Sequence, residues 1–430
     1  MIEHSSNPGE NTIMGKNRPI SQRVRTIATL LASTVILTSA IHFWPFEKSK
    51  AWQILCPSNL VVMTWSPALI GYLLLTRHRH AITSLLPHFS VFAYLAINVL
   101  SIAFASDLVR GFSFIFKLCL IWIGGYILIM LAISNKKSLR IIYRVTILSL
   151  IITLCACLMA RFVFHSASFG FFNNAYKYGT YIGILAPLCG TYLLTSRDSW
   201  NVSLGAFLVI GALVSSGSLG AVLATVIGML VTAVVVPNRP VRFGVLAVLL
   251  CGTGLTILLN MNSPNSVLQE DIRTTEKDGI NLKQRYIEWQ ADINLIEERS
   301  ITGSGAGCIN EYRSNFYYRL PKLNTLKPFD QNGWLTVAAE TGILGFVCFC
   351  WVIISYGKRA LYQITAIDWN NFVTINRVAV ANFAGLVAAC IANLFSSVHY
   401  NGILIVFVLM LALISSADSL LGVNKCECKR

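Results

Sequence analysis

The sequence has 430 residues, of which 55% are hydrophobic and 12% are charged, and its formal net charge is +15 at pH 7. Soluble globular domains carry about 25% charged residues, so the composition excludes an ordinary soluble protein and indicates an integral membrane protein. Much of the cationic surplus lies in short connections between apolar runs, and no basic module with interleaved aromatic residues is present. These two observations argue against nucleic acid as a partner.

Apolar runs recur along most of the chain, and a membrane span needs about 20 mostly apolar residues. We therefore predict an all-α, polytopic membrane protein with about twelve transmembrane helices and one large loop. The predicted spans are 27–44, 54–75, 86–105, 112–133, 141–160, 178–195, 200–215, 218–236, 242–260, 333–356, 377–396 and 401–422. The first run is predicted to be retained as a helix, because no convincing small-residue cleavage site follows it.

The connections between these runs alternate in charge. One set carries most of the cations: Arg77, Arg79, Lys136, Lys137, Arg140, Arg144, Arg197, Arg239, Arg242, Lys358, Arg359 and Arg377. Cations in short loops mark the cytoplasmic side. We therefore predict cytoplasmic tails at 1–26 and 423–430, nine spans within 27–260, three spans within 333–422, and an outward loop at 261–332. In a bacterium this loop would face the periplasm, and the chain would lie in the inner membrane.

The sequence does not point to a metal site or to a disulfide framework. Most of the twelve cysteines lie inside apolar runs, where cysteine behaves as a small hydrophobic residue. Cys426 and Cys428 form a C-x-C pair that is too short to indicate zinc. The sequence thus predicts no metal and no cofactor.

The outward loop is polar, and its nine Lys or Arg residues nearly balance its ten Asp or Glu residues. An anion site in it must therefore be built from particular arginines. Steps of four and three residues predict an amphipathic helix with one apolar face: Leu282, Tyr286, Trp289, Ile293 and Ile296. The glycine-rich segment 301–307 then ends the helix, and amides near Gly303 and Gly305 could approach an anion.

Other polar residues border the predicted spans. Lys177 stands just before the sixth run and could face the same space as the loop. Arg313 is either an auxiliary cation or a solvated loop charge. Asp330, Gln331 and Asn332 lie where the chain re-enters the membrane, near the head of a lipid-linked substrate. Asp330 is compatible both with a helix N-cap and with a role in proton transfer.

Two segments of the chain resemble a known family. They are QRYIEW at 284–289 followed by ERSITGSG at 298–305, and AETGILG at 339–345. They are similar to the outward loop and following helix of the O-antigen ligase and O-antigen polymerase superfamily. That loop carries an arginine, a tryptophan a few residues on, and a P-x-x-G-x-G turn. The resemblance is specific over about 282–346 and topological elsewhere.

The resemblance implies a GT-C-type membrane enzyme that needs no metal. Such enzymes transfer a glycan from undecaprenyl diphosphate to an acceptor, which is another repeat unit, the lipid A core or a protein hydroxyl. A diphosphate leaving group needs stabilisation of its charge, and an arginine can supply it in bidentate fashion. Arg285 matches the loop arginine of the family, and Trp289 either packs the loop helix or stacks on a sugar.

Two departures from the ligase pattern leave the acceptor open. Ligases carry His-Asn where this chain has Gln331 and Asn332, and they carry an arginine where this chain has Leu219. Glutamine cannot act as a base. The open alternatives are a repeat-unit polymerase, which we favour, a ligase with Asp330 as base, and an inactive relative. Outside this class stands a polysaccharide flippase or transporter, although no internal repeat supports one.

Overall fold

A computed structural model describes residues 20–39, 57–75, 85–162, 171–172, 175–216, 218–262, 280–317, 332–367, 369, 374–399 and 401–421. These residues form α-helices and the turns between them, without a β-strand. The all-α prediction is confirmed for this part of the chain. The predicted residues Asp330 and Gln331 lie outside it, as does the side chain of Arg285.

The helices follow the predicted apolar runs, with two further helices in the large loop. In chain order they are α1 (Gln22–Thr38), α2 (Pro57–Leu75), α3 (Phe89–Ser101), α4 (Leu108–Cys119), α5 (Tyr126–Ala132), α6 (Lys136–Phe162), α7 (Ala175–Leu194), α8 (Ser199–Ser215), α9 (Leu219–Val235), α10 (Arg239–Asn262), α11 (Ile280–Glu298), α12 (Ile309–Tyr317), α13 (Gly333–Thr365), α14 (Thr374–Ala392) and α15 (Asn401–Leu421). A π-helical turn, Leu120–Gly125, joins α4 and α5 into one continuous helix.

Five helical segments of the described chain are long and apolar enough to cross a membrane. They are Leu108–Ala132, Lys136–Ala160, Arg239–Leu259, Gly333–Thr365 and Thr374–Ala392. Four shorter apolar helices lie at Phe89–Phe104, Ser199–Ser215, Leu219–Val235 and Gly402–Asp418. All nine coincide with predicted runs. The full number of about twelve spans stays a prediction.

Small residues allow the central helices to pack closely. In α9, a Cβ added to Gly228 would lie 2.8 Å from Pro187 Cβ of α7 and 2.9 Å from Ala388 Cβ of α14. Close approach at small residues is typical of helix interfaces in membranes, where lipid tails are as apolar as leucine. The helix α15 is apolar and buried on all sides from Ile403 to Ile414, so it lies inside the bundle.

The described part of the large loop, residues 280–317, packs on one end of the bundle, which we call the loop side. Ala306 N–H donates to Ser101 Oγ at the end of α3 (3.1 Å), and Arg110 Nη1 lies 3.1 Å from Glu311 Oε1. At the other end, Gln363 Nε2 donates to Asp418 Oδ1. The cation-bearing connections that follow α5, α7 and α9 lie at this other end, because each of these helices leads away from the loop side.

Candidate active site

The loop helix α11 forms where the sequence predicts it, but it buries a different face. Of the predicted apolar stripe, Tyr286 is 66% exposed and Ile293 is 39% exposed. The buried face carries Glu288, Asp292 and Leu295 instead. Two acidic side chains therefore point inward, which corrects the prediction. For Asp292, the physical reason is a cation from elsewhere in the loop.

That cation is Arg313 of α12, whose side chain is fully buried. Its Nε and Nη2 atoms donate to the two carboxylate oxygens of Asp292, both at 2.7 Å. Nη2 also lies 3.3 Å from Thr336 Oγ1 of α13, and Nη1 lies 3.3 Å from Asn310 Oδ1. A bidentate arginine–carboxylate pair fixes geometry as well as charge.

The pair joins α11, α12 and α13 into one unit. Arg313 was expected to be an auxiliary substrate cation or a solvated loop charge. The structure corrects the second expectation, because the guanidinium is buried. The role of Arg313 as an auxiliary substrate cation stays a prediction.

The glycine turn at 300–305 is hydrogen-bonded to residues 339–343, where α13 is broken. We call this set of contacts the clasp. Gly342 breaks the helix with φ 69° and ψ −175°. Two carbonyl groups beside the break accept hydrogen bonds from the turn. Ser304 N–H donates to Ala339 O at 2.8 Å, and Gly305 N–H donates to Glu340 O at 3.0 Å.

The neighbouring amides are bonded within the fold as well. Gly303 N–H donates to Arg299 O at 2.9 Å, and Ile343 N–H donates to Ser300 O at 2.8 Å across the break. The amides of Gly303 and Gly305 thus do not face an anion, which corrects the expectation of a phosphate cradle. These glycines hold the loop on α13. Their contribution to a site is to fix the position of the loop.

Gly303→Ala is expected to loosen this clasp. Its φ is 64°, and an added Cβ would lie 2.3 Å from Glu340 O, so both the backbone and the neighbouring chain resist the change. Such substitutions destabilise by more than about 1 kcal/mol. We expect a lower melting temperature of the purified protein. Gly254→Ala in α10 is the matched control, because nothing lies within 4 Å of its added Cβ. Equal melting temperatures for both variants would contradict the clasp.

The other predicted residues of the loop lie near this unit. Position 285 precedes Asp292 by two helical turns, so the two positions share one face of α11. Trp289 is half-buried, and its indole Nε1 has no hydrogen-bond partner among the described residues. Asn332 caps α13, since its Oδ1 accepts from Trp334 N–H (3.0 Å) and Leu335 N–H (3.2 Å). Asn332 therefore fills the cap role considered for Asp330.

Lys177 lies in the first turn of α7, and its side chain is half-buried. Tyr178, the next residue, donates to Ser215 Oγ at 2.7 Å, so this turn lies beside the connection between α8 and α9. A contact of Lys177 with the loop stays a prediction.

Sequence reasoning missed a polar cluster beside the start of α13. Gly333 N–H donates to Asn393 O at 2.7 Å, and Trp334 Nε1 donates to Cys390 O at 3.1 Å. Asn393 Oδ1 accepts from Val398 N–H at 2.9 Å. The same segment ends in His399, whose Nε2 lies 2.8 Å from Tyr94 Oη of α3. The sequence signal for this cluster was His399, which stands between two apolar runs.

The site thus combines a loop helix with a predicted arginine, a clasp at a helix break, and a polar cluster that includes a histidine. Within the part of the chain that the structure describes, no group of three His, Cys, Asp or Glu side chains is placed to hold a metal. The arrangement places several polar side chains, an imidazole among them, on the loop side of the bundle.

Residues 204–350 match the family model described as O-antigen ligase. The match confirms the resemblance to the O-antigen ligase and polymerase superfamily, and it runs from α8 to the first half of α13. No curated protein matches the sequence. The match supports a membrane enzyme of the ligase or polymerase kind that acts on glycans and lipid-linked substrates.

Proposed function

We propose that this protein is a bacterial inner-membrane transferase for oligosaccharide repeat units carried on undecaprenyl diphosphate, and that it polymerises them. One observation carries the proposal. The O-antigen ligase match includes α11, the clasp and the broken start of α13, where the polar residues of the loop meet the bundle.

In the proposed reaction, the oxygen of an acceptor hydroxyl forms a bond to the anomeric carbon of the donor glycan. The bond between that carbon and the diphosphate oxygen breaks, and the diphosphate leaves with the electron pair. Arg285 stabilises the negative charge on the leaving group, because a guanidinium binds phosphate oxygens in bidentate fashion. No metal is required for this step.

The loop side is proposed to face the periplasm. The cation-bearing connections that follow α5, α7 and α9 lie at the opposite end of the bundle, and the positive-inside rule assigns such an end to the cytoplasm. A lipid-linked donor in the outer leaflet would then present its diphosphate at the interface near α11 and the start of α13. Lys177 and Asn332 are proposed to contact the substrate there, and Trp289 to stack on a sugar.

Polymerisation is favoured over ligation because two ionisable positions of the ligase pattern are neutral here. Gln331 replaces the ligase histidine, and Leu219 replaces an arginine. Transfer to the lipid A core is the second candidate, since the matching family model is described by ligase activity.

Deletion of the gene distinguishes these reactions. We expect surface glycan gels to lose the long-chain ladder while single repeat units remain attached to their acceptor. Loss of all capped acceptor, with accumulation of lipid-linked polymer, would identify a ligase. Accumulation of lipid-linked single units on the cytoplasmic face would identify a transporter. An unchanged glycan profile in a strain that normally expresses the protein would contradict both transferase reactions.

A further inference from the structure

Three helices meet around a pair of tyrosines at the end of the bundle opposite the loop side. Tyr143 of α6 and Tyr192 of α7 are stacked, with 4.3 Å between their ring centroids. The hydroxyl of Tyr143 donates to Asn382 Oδ1 of α14 at 2.8 Å. Arg377 Nη1 of α14 donates to the hydroxyl of Ser196, just beyond the end of α7, at 3.1 Å. The first turns of α6 and α14 and the end of α7 are therefore packed together.

This meeting point is strongly cationic. The positive charges of Arg140 and Arg144 of α6 and of Arg377 of α14 all act on the hydroxyl group of Tyr192. Arg140 and Arg144 are exposed, and Arg377 is partly exposed. We call these three residues the arginine cluster. Because like charges repel one another, the cluster favours a ligand that brings negative charge to it.

The fold does not neutralise the arginine cluster. Among the residues that the structure describes, ion pairs form at Arg110 and Arg313, and none forms at the three arginines of the cluster. The nearby carboxylate of Asp198 caps α8, where its Oδ1 accepts from Trp200 N–H at 3.3 Å. Within the described helices, the buried Nε of Arg377 has no hydrogen-bond acceptor. Such groups are uncommon in a fold, and phosphate oxygens are strong acceptors for a guanidinium.

An exposed apolar face of α6 continues from the arginine cluster along the helix. Leu148, Ile152 and Met159 follow Arg144 at steps of four, four and seven residues, and all three are exposed. Residues with this spacing lie on one side of a helix. Because Lys136–Ala160 is long and apolar enough to cross a membrane, this side is suited to contact lipid tails. The arginines thus stand at the polar end of a surface that fits an acyl chain.

We propose that the arginine cluster binds the headgroup of an anionic phospholipid, whose acyl chain lies along the exposed face of α6. Guanidinium groups bind phosphate oxygens in bidentate fashion, and basic sites between helices on the cytoplasmic side bind anionic headgroups. A zwitterionic lipid fits less well, because its headgroup also carries a cation that the three arginines repel. In the proposed orientation of the bundle, the bound lipid belongs to the inner leaflet, away from the site of glycan transfer.

The test uses the full-length protein in detergent micelles, with bound lipid counted by native mass spectrometry. The probes are phosphatidylglycerol and phosphatidylcholine with the same acyl chains. We expect the original protein to bind one phosphatidylglycerol more tightly than any phosphatidylcholine. Replacing Arg140, Arg144 and Arg377 together by glutamine is expected to weaken this binding about 100-fold, because one arginine near an anionic headgroup contributes about fivefold.

Arg239→Gln is the matched control for Arg144→Gln. Arg239 is an exposed arginine that begins α10 at the same end of the bundle, so both substitutions remove one positive charge there. Arg144→Gln is expected to weaken binding of phosphatidylglycerol about fivefold, and Arg239→Gln less than about twofold. Equal affinities of these two variants would overturn the proposal. If the triple variant does not fold, original affinity in both Arg140→Gln and Arg144→Gln would overturn it.

Inorganic phosphate distinguishes a lipid from a free anion. The melting temperature of the original protein should rise with phosphatidylglycerol and should not rise with inorganic phosphate at the same concentration. An equal rise with inorganic phosphate would overturn the assignment to a lipid, as would equal binding of phosphatidylglycerol and phosphatidylcholine. Neither measurement uses a glycan donor, so its outcome is independent of the proposed function.

Discussion

Arg285→Ala is expected to lower the rate of glycan transfer in liposomes by about 100- to 1,000-fold, the range measured when a single stabiliser of transition-state charge is removed. The loss should appear in kcat, because the charge on the leaving diphosphate develops as its bond to the sugar breaks. Arg285→Lys keeps one positive charge but loses the planar fork, so it should recover only part of the rate.

Arg110→Ala is the matched control for Arg285. Arg110 also lies on the loop side, but its ion pair with Glu311 is exposed, at 44% and 38% of the two side chains. Exposed pairs contribute about 0–1 kcal/mol, so stability and transfer should hardly change. Full activity of Arg285→Ala at a normal protein level would contradict the assigned role of this arginine.

Arg313→Ala is expected to destabilise the loop by about 3–5 kcal/mol, because it leaves the buried carboxylate of Asp292 without its partner. Membranes should contain less protein, and the purified protein should melt at a lower temperature. If Arg313 has only this structural role, the transfer rate per folded molecule should fall only because the loop is displaced.

A double substitution separates a structural role of Arg313 from a substrate role. Asp292→Leu combined with Arg313→Met replaces the buried pair with apolar side chains, a change that is often neutral for stability. We expect protein level and transfer to recover together. A double variant that folds normally and remains inactive would instead place Arg313 at the substrate.

The sequence predicted the bundle well because span formation depends on local composition. Twelve apolar runs correspond to helices, and even the narrow separation of α8, which ends at Ser215, from α9, which begins at Leu219, is present. In lipid, a long apolar run is nearly sufficient to specify a helix. The reason is that every backbone N–H and C=O group must form its hydrogen bond within the segment.

The loop was predicted less accurately because its energetics depend on contacts between distant segments. Asp292 turns inward to meet Arg313, and the amide of Gly305 bonds to Glu340 O. The apolar periodicity of α11 contains no information about Arg313, which lies 15 residues beyond the end of that helix at Glu298. Similarly, only the packing of α3 and α13 beside the start of α15 brings the ring of His399 against Tyr94 and Phe349.

The central claim is that this chain alone transfers a glycan from a lipid-linked diphosphate. The most direct measurement is the reaction of the purified protein in liposomes with a lipid-diphosphate-linked repeat unit, followed by the free lipid diphosphate and the lengthened glycan. The account predicts that both products appear in equal amounts with the original protein and are nearly absent with Arg285→Ala. Release of neither product by folded protein, or equal release from both forms, would contradict it.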